Sequence, residues 1–449
     1  MRIVIAGAGE VGCHLAKLLS NEAQDIIVVD KASENIRQLE DMNLYTYLGS
    51  PLSINVLRKI EVGKCDLFIA VTPYETRNIT ACAIAKSLGA KKTIARVESD
   101  EFYEESNRYV FQKMGVDALI YPEYLAAFEI LKALQHPWAR HWFDLFDGQL
   151  IVAGVKIRKG AKIVGVKLRD FANVTKQMHI SAIRRNNEVI IPSGNDMVLE
   201  DDVIYLSTTK EHVAEVRQLC GKQEHKLHNL IILGGGNISE NLARIIDTLE
   251  LDYHINILES SDERIEELIE HLPNCRIDKI DTNTIEHVIS SQEYYGNYDA
   301  FISLLDSAES NILNCIAAKG AGAKKTVAEV ENLEFVKIAE RLNIGSVINK
   351  KLLASSKIFQ ILLDDDKDTT KCLALTDAEV AEIVIKEDTK VTDVEVRHLK
   401  LPREMTIAGL VRNGVGQLVS GTTKLQVGDH VVIFCLSGAL YKMEKVFNK

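Results

Sequence analysis

Two stretches of this 449-residue chain read almost as one. FIAVTPYETRNITACAIAKSLGAKKTIARVE, from Phe68, aligns without a gap on FISLLDSAESNILNCIAAKGAGAKKTVAEVE, from Phe301. Asn78 falls on Asn311, Cys82 on Cys315 and Gly89 on Gly322, and both copies carry GAKKT. Upstream, RIVIAGAGEVGCHLAKLL matches NLIILGGGNISENLARII, placing Gly7 on Gly234, Gly9 on Gly236 and Gly12 on Ser239. Repetition on this scale fixes the architecture as one unit built twice. Size alone requires more than one core.

Within the first unit, IVIAG, IIVVD, LYTYLG, LFIAVT, KKTIARVE and ALIYPE are strand candidates. Helix-period stretches such as EVGCHLAKLLS and RNITACAIAKSLGA lie between them. Strands alternating with helices predict βαβ units in a parallel sheet. The following stretch, YPEYLAAFEILKALQ, places Leu125, Phe128, Leu131 and Leu134 every three residues, read as one apolar helix face for core or for a subunit interface. Short strand-like runs broken by Gly, Asn and Pro come next, and EVAEIVIKED, MTIAGLVRNGVGQLVSG and LQVGDHVVIFCLSG repeat them near the end. The predicted class is α/β: a tandem duplication of a Rossmann-like, doubly wound parallel-sheet domain followed by a small β-rich domain. The expected divisions are a sheet domain over 1–120, a helix and linker over 121–143 and a β-rich domain over 144–226. The second round gives 227–349, 350–373 and 374–449.

Gly7, Gly9 and Gly12 form G-x-G-x-x-G between a strand and a helix. Gly7 makes the tight turn, Gly9 admits a pyrophosphate and Gly12 lets the helix pack on the strand, while the helix N-terminus supplies partial positive charge. Asp30, at the end of IIVVD, suits the ribose hydroxyls and repels a 2′-phosphate, which disfavours NADP. NAD(H) and ATP or ADP share those hydroxyls, so the motif leaves both open. In the second copy Gly234, Gly235 and Gly236 keep the turn and Glu259 the acid, but Ser239 in place of the third Gly implies a wider helix–strand contact.

The remaining composition narrows the function. A formal net charge of −11 argues against a nucleic-acid partner, and no apolar run approaches the roughly 20 residues of a spanning helix. Met1 leads straight into a strand, so the expectation is a chain that stays inside the cell. Eight scattered cysteines without C-x-x-C are expected to be reduced core thiols, and no metal spacing is present. There is no Walker A string, and His136 and His141 flank the Trp138–Trp142 segment without a further acid–base group, which reads as packing. Catalysis is not expected. The competing readings are an NAD-linked oxidoreductase and a scaffold with relic glycine loops.

With two glycine units each followed by a β-rich domain, and with AVTPYETRNITACAIAKSLGAKKTIARVE, the chain resembles the TrkA family over essentially its whole length. These are peripheral regulatory subunits of bacterial Trk potassium-uptake systems, built from two RCK units, each a Rossmann domain and a small C-terminal domain. The resemblance implies NAD(H) or adenine-nucleotide binding, a homodimer or homotetramer, and a potassium-translocating membrane subunit as partner on the cytoplasmic face. It implies Gly7, Gly9, Glu10, Val11 and Gly12 as the pyrophosphate loop, Asp30 and Lys31 at the ribose, Gly49 and Ser50 beside the adenine, and Val71 and Thr72 mid-nucleotide. Arg96 stands where a basic residue reaches phosphate, against the plainer reading of an ion pair. The second site would use Gly234, Gly235, Gly236, Asn237, Ile238, Glu259 and Asp281. Where the family often has Gly-Asp this chain has Gly49-Ser50 and Ile280-Asp281, and Glu329 stands opposite Arg96, so the two sites are expected to differ.

Overall fold

The computed structural model describes residues 1–20, 25–40, 42–186, 188–280, 298–363, 369–374, 378–387, 389, 391–392, 394–436, 439 and 446–447. Six strands open the chain: β1 (Arg2–Ala6), β2 (Asp25–Asp30), β3 (Tyr45–Leu48), β4 (Leu67–Ala70), β5 (Lys92–Arg96) and β6 (Ala118–Ile120). They pair in parallel in the order β3-β2-β1-β4-β5-β6. The inner strands are apolar on both faces because helices cover both: Ile3, Val4, Ile5 and Phe68, Ile69 are fully buried. Strand order reverses between β1 and β4, so the loops leaving their carboxyl ends diverge and open a crevice.

Five antiparallel strands follow: β7 (His141–Leu145), β8 (Leu150–Lys156), β9 (His179–Arg185), β10 (Glu188–Ile190) and β11 (Val203–Thr208), ordered β10-β9-β11-β8-β7. The second round repeats both layouts. β12 (Asn229–Leu233), β13 (His254–Glu259), β14 (Arg276–Lys279), β15 (Ala300–Ser303), β16 (Lys325–Glu329) and β17 (Ser346–Ile348) form the parallel sheet β14-β13-β12-β15-β16-β17. β18 (Thr369–Ala374), β19 (Ala378–Val384), β20 (Met405–Arg412), β21 (Val415–Gln417) and β22 (His430–Leu436) form β18-β19-β22-β20-β21, the same antiparallel order read from its other edge. Each small sheet is locked by a two-pronged ion pair. Arg185 donates to Asp202 at 2.9 and 2.7 Å, and Arg412 to Asp429 at 2.7 and 2.7 Å. Both carboxylates sit in the acidic turn before the closing strand, almost fully buried, where two parallel bonds to a guanidinium are strongest.

Parallel and antiparallel sheets alternate along the chain. Its contacts define two units: residues 1–125 with 350–365, and residues 126–349 with 366–449. In the first, helix Lys350–Leu363 packs on helix Glu10–Ser20 and on β6, so a segment from the second half of the sequence completes the first sheet's surroundings. In the second, the two small sheets share a core, with Leu150, Val152 and Tyr205 from one meeting Val380, Ala408 and Phe434 from the other; the Tyr205 and Phe434 rings lie 5.3 Å apart. Helix Pro122–Gln135 also corrects the three-residue stripe. Ala126, Ala127, Ile130, Leu131 and Leu134 are buried, whereas Phe128 is 41% exposed. A spacing of three falls short of a turn by about 60° each time, so such a row winds off any one face.

Among the described cysteines, Cys13, Cys65, Cys82, Cys220, Cys315 and Cys435 are buried and Cys275 partly so, all as free thiols. His136 stacks flat on Trp142 at 3.7 Å. Burial pushes the pKa of His136 down from 6.5 to about 4, that of His141 to about 3 and that of His179 to about 4. Such groups contribute stability that is complete above pH 6.5 and declines as the pH falls toward about 4, because the unfolded chain takes up protons that the folded chain refuses. The denaturation midpoint of the protein is therefore expected to fall over that window. His136→Phe, which keeps a ring on Trp142, should make the decline shallower by about one proton. Guanidinium titrations of both proteins across the window test this, and equal slopes would refute it.

Candidate functional site

The first glycine loop leaves β1 at the strand-order reversal, with the Gly7 amide bonded to the Val29 carbonyl at 2.9 Å. Gly7 has φ +111°, a conformation that favours glycine, and a Cβ on it would stand 3.0 Å from the Thr72 amide nitrogen. Gly12 is held tighter: a Cβ there would lie 1.9 Å from the Gly7 carbonyl oxygen. Gly9 differs from both, since a Cβ would meet nothing within 4 Å. Two glycines let the helix pack on the loop, and the third leaves space in front of it.

Asp30, assigned to a ribose, also anchors the loop: its Oδ2 accepts from the Ala8 amide at 2.7 Å and its Oδ1 from the Ala32 amide at 2.8 Å. Its carbonyl accepts from Gly49 at 2.8 Å, which brings the YLGSP turn to the same edge. Val71 is buried and bonded to the Ala6 carbonyl at 2.9 Å. Lys31, Ser50 and Glu10 are exposed around the rim, and Val11 is buried beneath the helix start. Thus Gly7, Gly9, Gly12, Asp30, Gly49, Val71 and Thr72 meet at the carboxyl edge of the sheet. The residues fit a dinucleotide or an adenine nucleotide, because the cradle in front of Gly9 is one that any side chain would fill.

Several residues at this edge were not anticipated. Asn78 accepts from the Thr72 amide at 2.9 Å and the Thr72 hydroxyl at 2.6 Å, and donates to the carbonyls of Thr72 and Arg96 at 2.9 Å each. Its identity with Asn311 was the signal available. Arg96 donates to Glu98 at 2.9 Å and stands 3.8 Å from Glu123, a mostly buried pairing that favours the ion-pair reading over a free phosphate contact. Lys350 lies 3.6 Å from Glu123, and Lys351 pairs with Glu10 at the loop itself. Nothing in the local sequence marks those two lysines, because they arrive on helix Lys350–Leu363.

The second loop follows the same plan with different chemistry. Gly234 has φ +98°, and Gly236 is as open as Gly9. Glu259 Oε2 accepts from the Gly235 amide at 2.7 Å and its Oε1 from the Ser260 and Ser261 amides at 2.6 and 2.9 Å. Burial pushes the Glu259 pKa up, but these amides outweigh it and hold the carboxyl below its usual value. Ser239 does not simply widen the contact: its hydroxyl donates to the Gly234 carbonyl, turning the clash avoided at Gly12 into a bond. Asn237 opens the helix in an exposed position and Ile238 is buried; Asp281 lies outside the described residues. Arg264, unforeseen, donates to the Gly235 carbonyl at 2.7 Å and to buried Glu240 at 2.5 Å, with Arg244 and His271 also on Glu240 at 2.6 and 2.9 Å. Glu329 is buried where Arg96 stands in the first copy, so the charge reversal is real.

The TrkA-N domain model matches residues 3–122 and 230–350, and the TrkA-C domain model residues 152–221 and 380–448. The chain belongs to the TrkA family. A Trk system potassium uptake protein TrkA homolog of Archaeoglobus fulgidus is 28% identical, with both chains fully covered. The TrkA protein of Halomonas elongata is 28% identical over 97% of this chain and 96% of its own. Among solved structures, the GsuK channel covers 100% of this chain and 78% of its own at a TM-score of 0.60 and 15% identity, which shows a shared fold. A structure of that channel bound to NAD covers 99% of this chain and 78% of its own, at a TM-score of 0.58 and 15% identity.

Gly9 and Gly12 predict different phenotypes. Gly9→Asp should unfold at the wild-type temperature and lose nucleotide binding, because its carboxylate occupies open space where phosphates would lie. Gly12→Ala should lose about 1–3 kcal/mol of stability through overpacking against the Gly7 carbonyl. Thermal unfolding with nucleotide titration of both variants distinguishes them; equal destabilisation would contradict the geometry.

Proposed function

We propose that the chain is the non-enzymatic, cytoplasmic regulatory subunit of a Trk-type potassium-uptake system. A nucleotide on the first glycine loop biases its conformation and thereby potassium flux through a membrane subunit. The cradle of Gly7, Gly9 and Gly12 anchored by Asp30, in a chain alike over its full length to Trk potassium uptake proteins, carries this reading. Gly9 and the helix start would hold the pyrophosphate, Asp30 the ribose, and Gly49 with Ser50 the adenine. NAD(H) is the preferred ligand and ATP or ADP the alternative, since Asp30 meets the same hydroxyls in each.

We expect no turnover from the two imidazoles that flank the tryptophan segment. His136 stacks on Trp142, and burial lowers the pKa of both His136 and His141, which suits packing rather than acid–base chemistry. Among the described residues no helix is long and apolar enough to cross a membrane, and no cluster of His, Cys, Asp and Glu is arranged for a metal. The subunit then acts from the cytoplasmic side as a homodimer or homotetramer docked on its translocating partner.

A ligand shifts a conformational balance only through unequal affinity for the two states. The Lys351–Glu10 pair supplies a means, because it joins the rim of the loop to helix Lys350–Leu363, whose chain continues toward the second small domain. Phosphate charge arriving at the loop competes with Glu10 for that ammonium. The second loop, with Arg264 already on it, takes a different nucleotide or a weaker hold.

Calorimetric titration with NADH, NAD, ADP and ATP tests the reading, followed by potassium flux in vesicles carrying the membrane subunit. Asp30→Ala should weaken NAD and ATP together by roughly 10- to 100-fold, the value of a charge-assisted hydrogen bond. Unchanged affinities would remove the ribose assignment, and failure to bind any of the four would leave a scaffold.

A further inference from the structure

Beyond both glycine loops, the second unit contains a cavity of about 80 Å³ walled by cations. Arg140 comes from the linker just before β7, Lys156, Arg158 and Lys222 from the first small domain, and Lys319, Lys324 and Lys325 from the second parallel-sheet domain. Among the described residues no carboxylate lines it. In a protein of net charge −11, this concentration of positive charge needs an explanation.

Among the described residues, ion pairs hold two of the seven, while Glu340 acts on Arg140 and Glu129 on Lys325 from farther away. Lys156 pairs with Asp201 at 2.9 Å and Lys324 with Asp299 at 2.6 Å. Among the described residues, the hydrogen bonds of the others go to neutral oxygens. Lys325, buried, donates to the Ala139 carbonyl at 2.9 Å; Lys319 donates to the Asn343 carbonyl; Arg140 donates to the Asn343 side-chain oxygen at 2.6 Å and the Glu340 carbonyl at 3.3 Å. Arg158 and Lys222 have no ion pair among the described residues.

The duplication provides a control. Lys86 aligns with Lys319, and in the first sheet it is held by Asp117 at 2.8 and 3.0 Å, just before β6. The register of β5 with β6 and of β16 with β17 places Gly345 where Asp117 stands. Gly345 has φ +115°, and a Cβ there would lie 2.1 Å from the Thr326 carbonyl oxygen, so no acid can return to that position. One copy thus keeps its counter-charge, while the other lacks it and receives four further cations.

We propose that this cavity is an anion site for a phosphoryl group, separate from the glycine loops. A volume of about 80 Å³ suits one phosphoryl group, and the cavity adjoins a second of about 330 Å³ that shares Trp138, Arg158, Lys222 and Lys324 and leaves room for the rest of a phosphorylated molecule. Several guanidinium and ammonium donors converging on one volume are the chemistry by which proteins hold phosphate. In the present state burial, and then the neighbouring cations, push Lys325 down to about 7 and Lys222 and Lys319 to about 8. The groups facing these amines are Arg140 just before β7, Lys156 and Arg158 from the small domain, Cys220 beside Lys222, and Glu129 near Lys325. An anion restores the charged form, so binding takes up protons and weakens as the pH rises from about 7 to about 9.

The test uses the full chain with Gly9→Asp and Gly236→Asp, which fill the open space at both loops. Calorimetric titration with pyrophosphate should give one saturable site per chain, with proton uptake. Adding Arg158→Gln and Lys222→Gln, neither of them a core residue, should weaken it at least tenfold at an unchanged unfolding temperature. Parallel titrations with inorganic phosphate and ATP identify the source: ATP no tighter than pyrophosphate assigns the site to free phosphate chains, and ATP tighter assigns it to a nucleotide. No binding of any of the three, or binding indifferent to the two substitutions, overturns the proposal.

Discussion

Each parallel sheet is organised around one asparagine amide. Asn78 fixes both the amide and the carbonyl of Thr72 and reaches across to the Arg96 carbonyl, so the ends of β4 and β5 cannot separate. Asn311 bonds Leu305 in the same way at 2.9 and 2.8 Å and the Glu329 carbonyl at 2.9 Å. The glycine loop depends on this clamp, since Gly7 packs directly on the Thr72 amide that Asn78 holds. A buried side-chain amide with its bonding capacity filled is stiff, because any movement would strand polar groups away from water. The crevice in front of Gly9 is therefore preformed.

From this common frame the copies have diverged in charge rather than in backbone. The acid after the second strand ties down the loop in both, as Asp30 and as Glu259. Around it, the first loop has Lys351 and Glu10 at its rim, whereas the second carries Arg264 and buried Glu240. The same holds at the other edge of each sheet, where Lys86 keeps Asp117 and Lys319 does not keep an equivalent. A duplicated sheet tolerates such changes because strand pairing is made by backbone groups, which side-chain substitutions leave in place.

Much of the fold was legible. Apolar runs and the repeat gave the strands, and the two small sheets emerged with one strand order because their sequences share layout down to Asp202 and Asp429. The glycine positions were legible as well, since only glycine satisfies a positive φ at Gly7 or the contact at Gly12. The helix stripe misled because a three-residue spacing is close to a turn without being one, leaving Phe128 exposed. Ser239 was read by volume alone, and its hydroxyl found a bond that volume does not foretell.

The sequence by itself determined the duplicated architecture, the family and the glycine cradle, because these rest on local backbone geometry and on patterns within one repeat. Only the tertiary structure decided that helix Lys350–Leu363 completes the first unit, that Arg96 is paired with Glu98 and Glu123, and that seven cations from distant stretches of the second unit line one cavity. The physical reason is distance along the chain. Charge pairing and cavity walls depend on which residues meet in space, and residues as far apart as Glu10 and Lys351 carry no mark in sequence of the partner they will find.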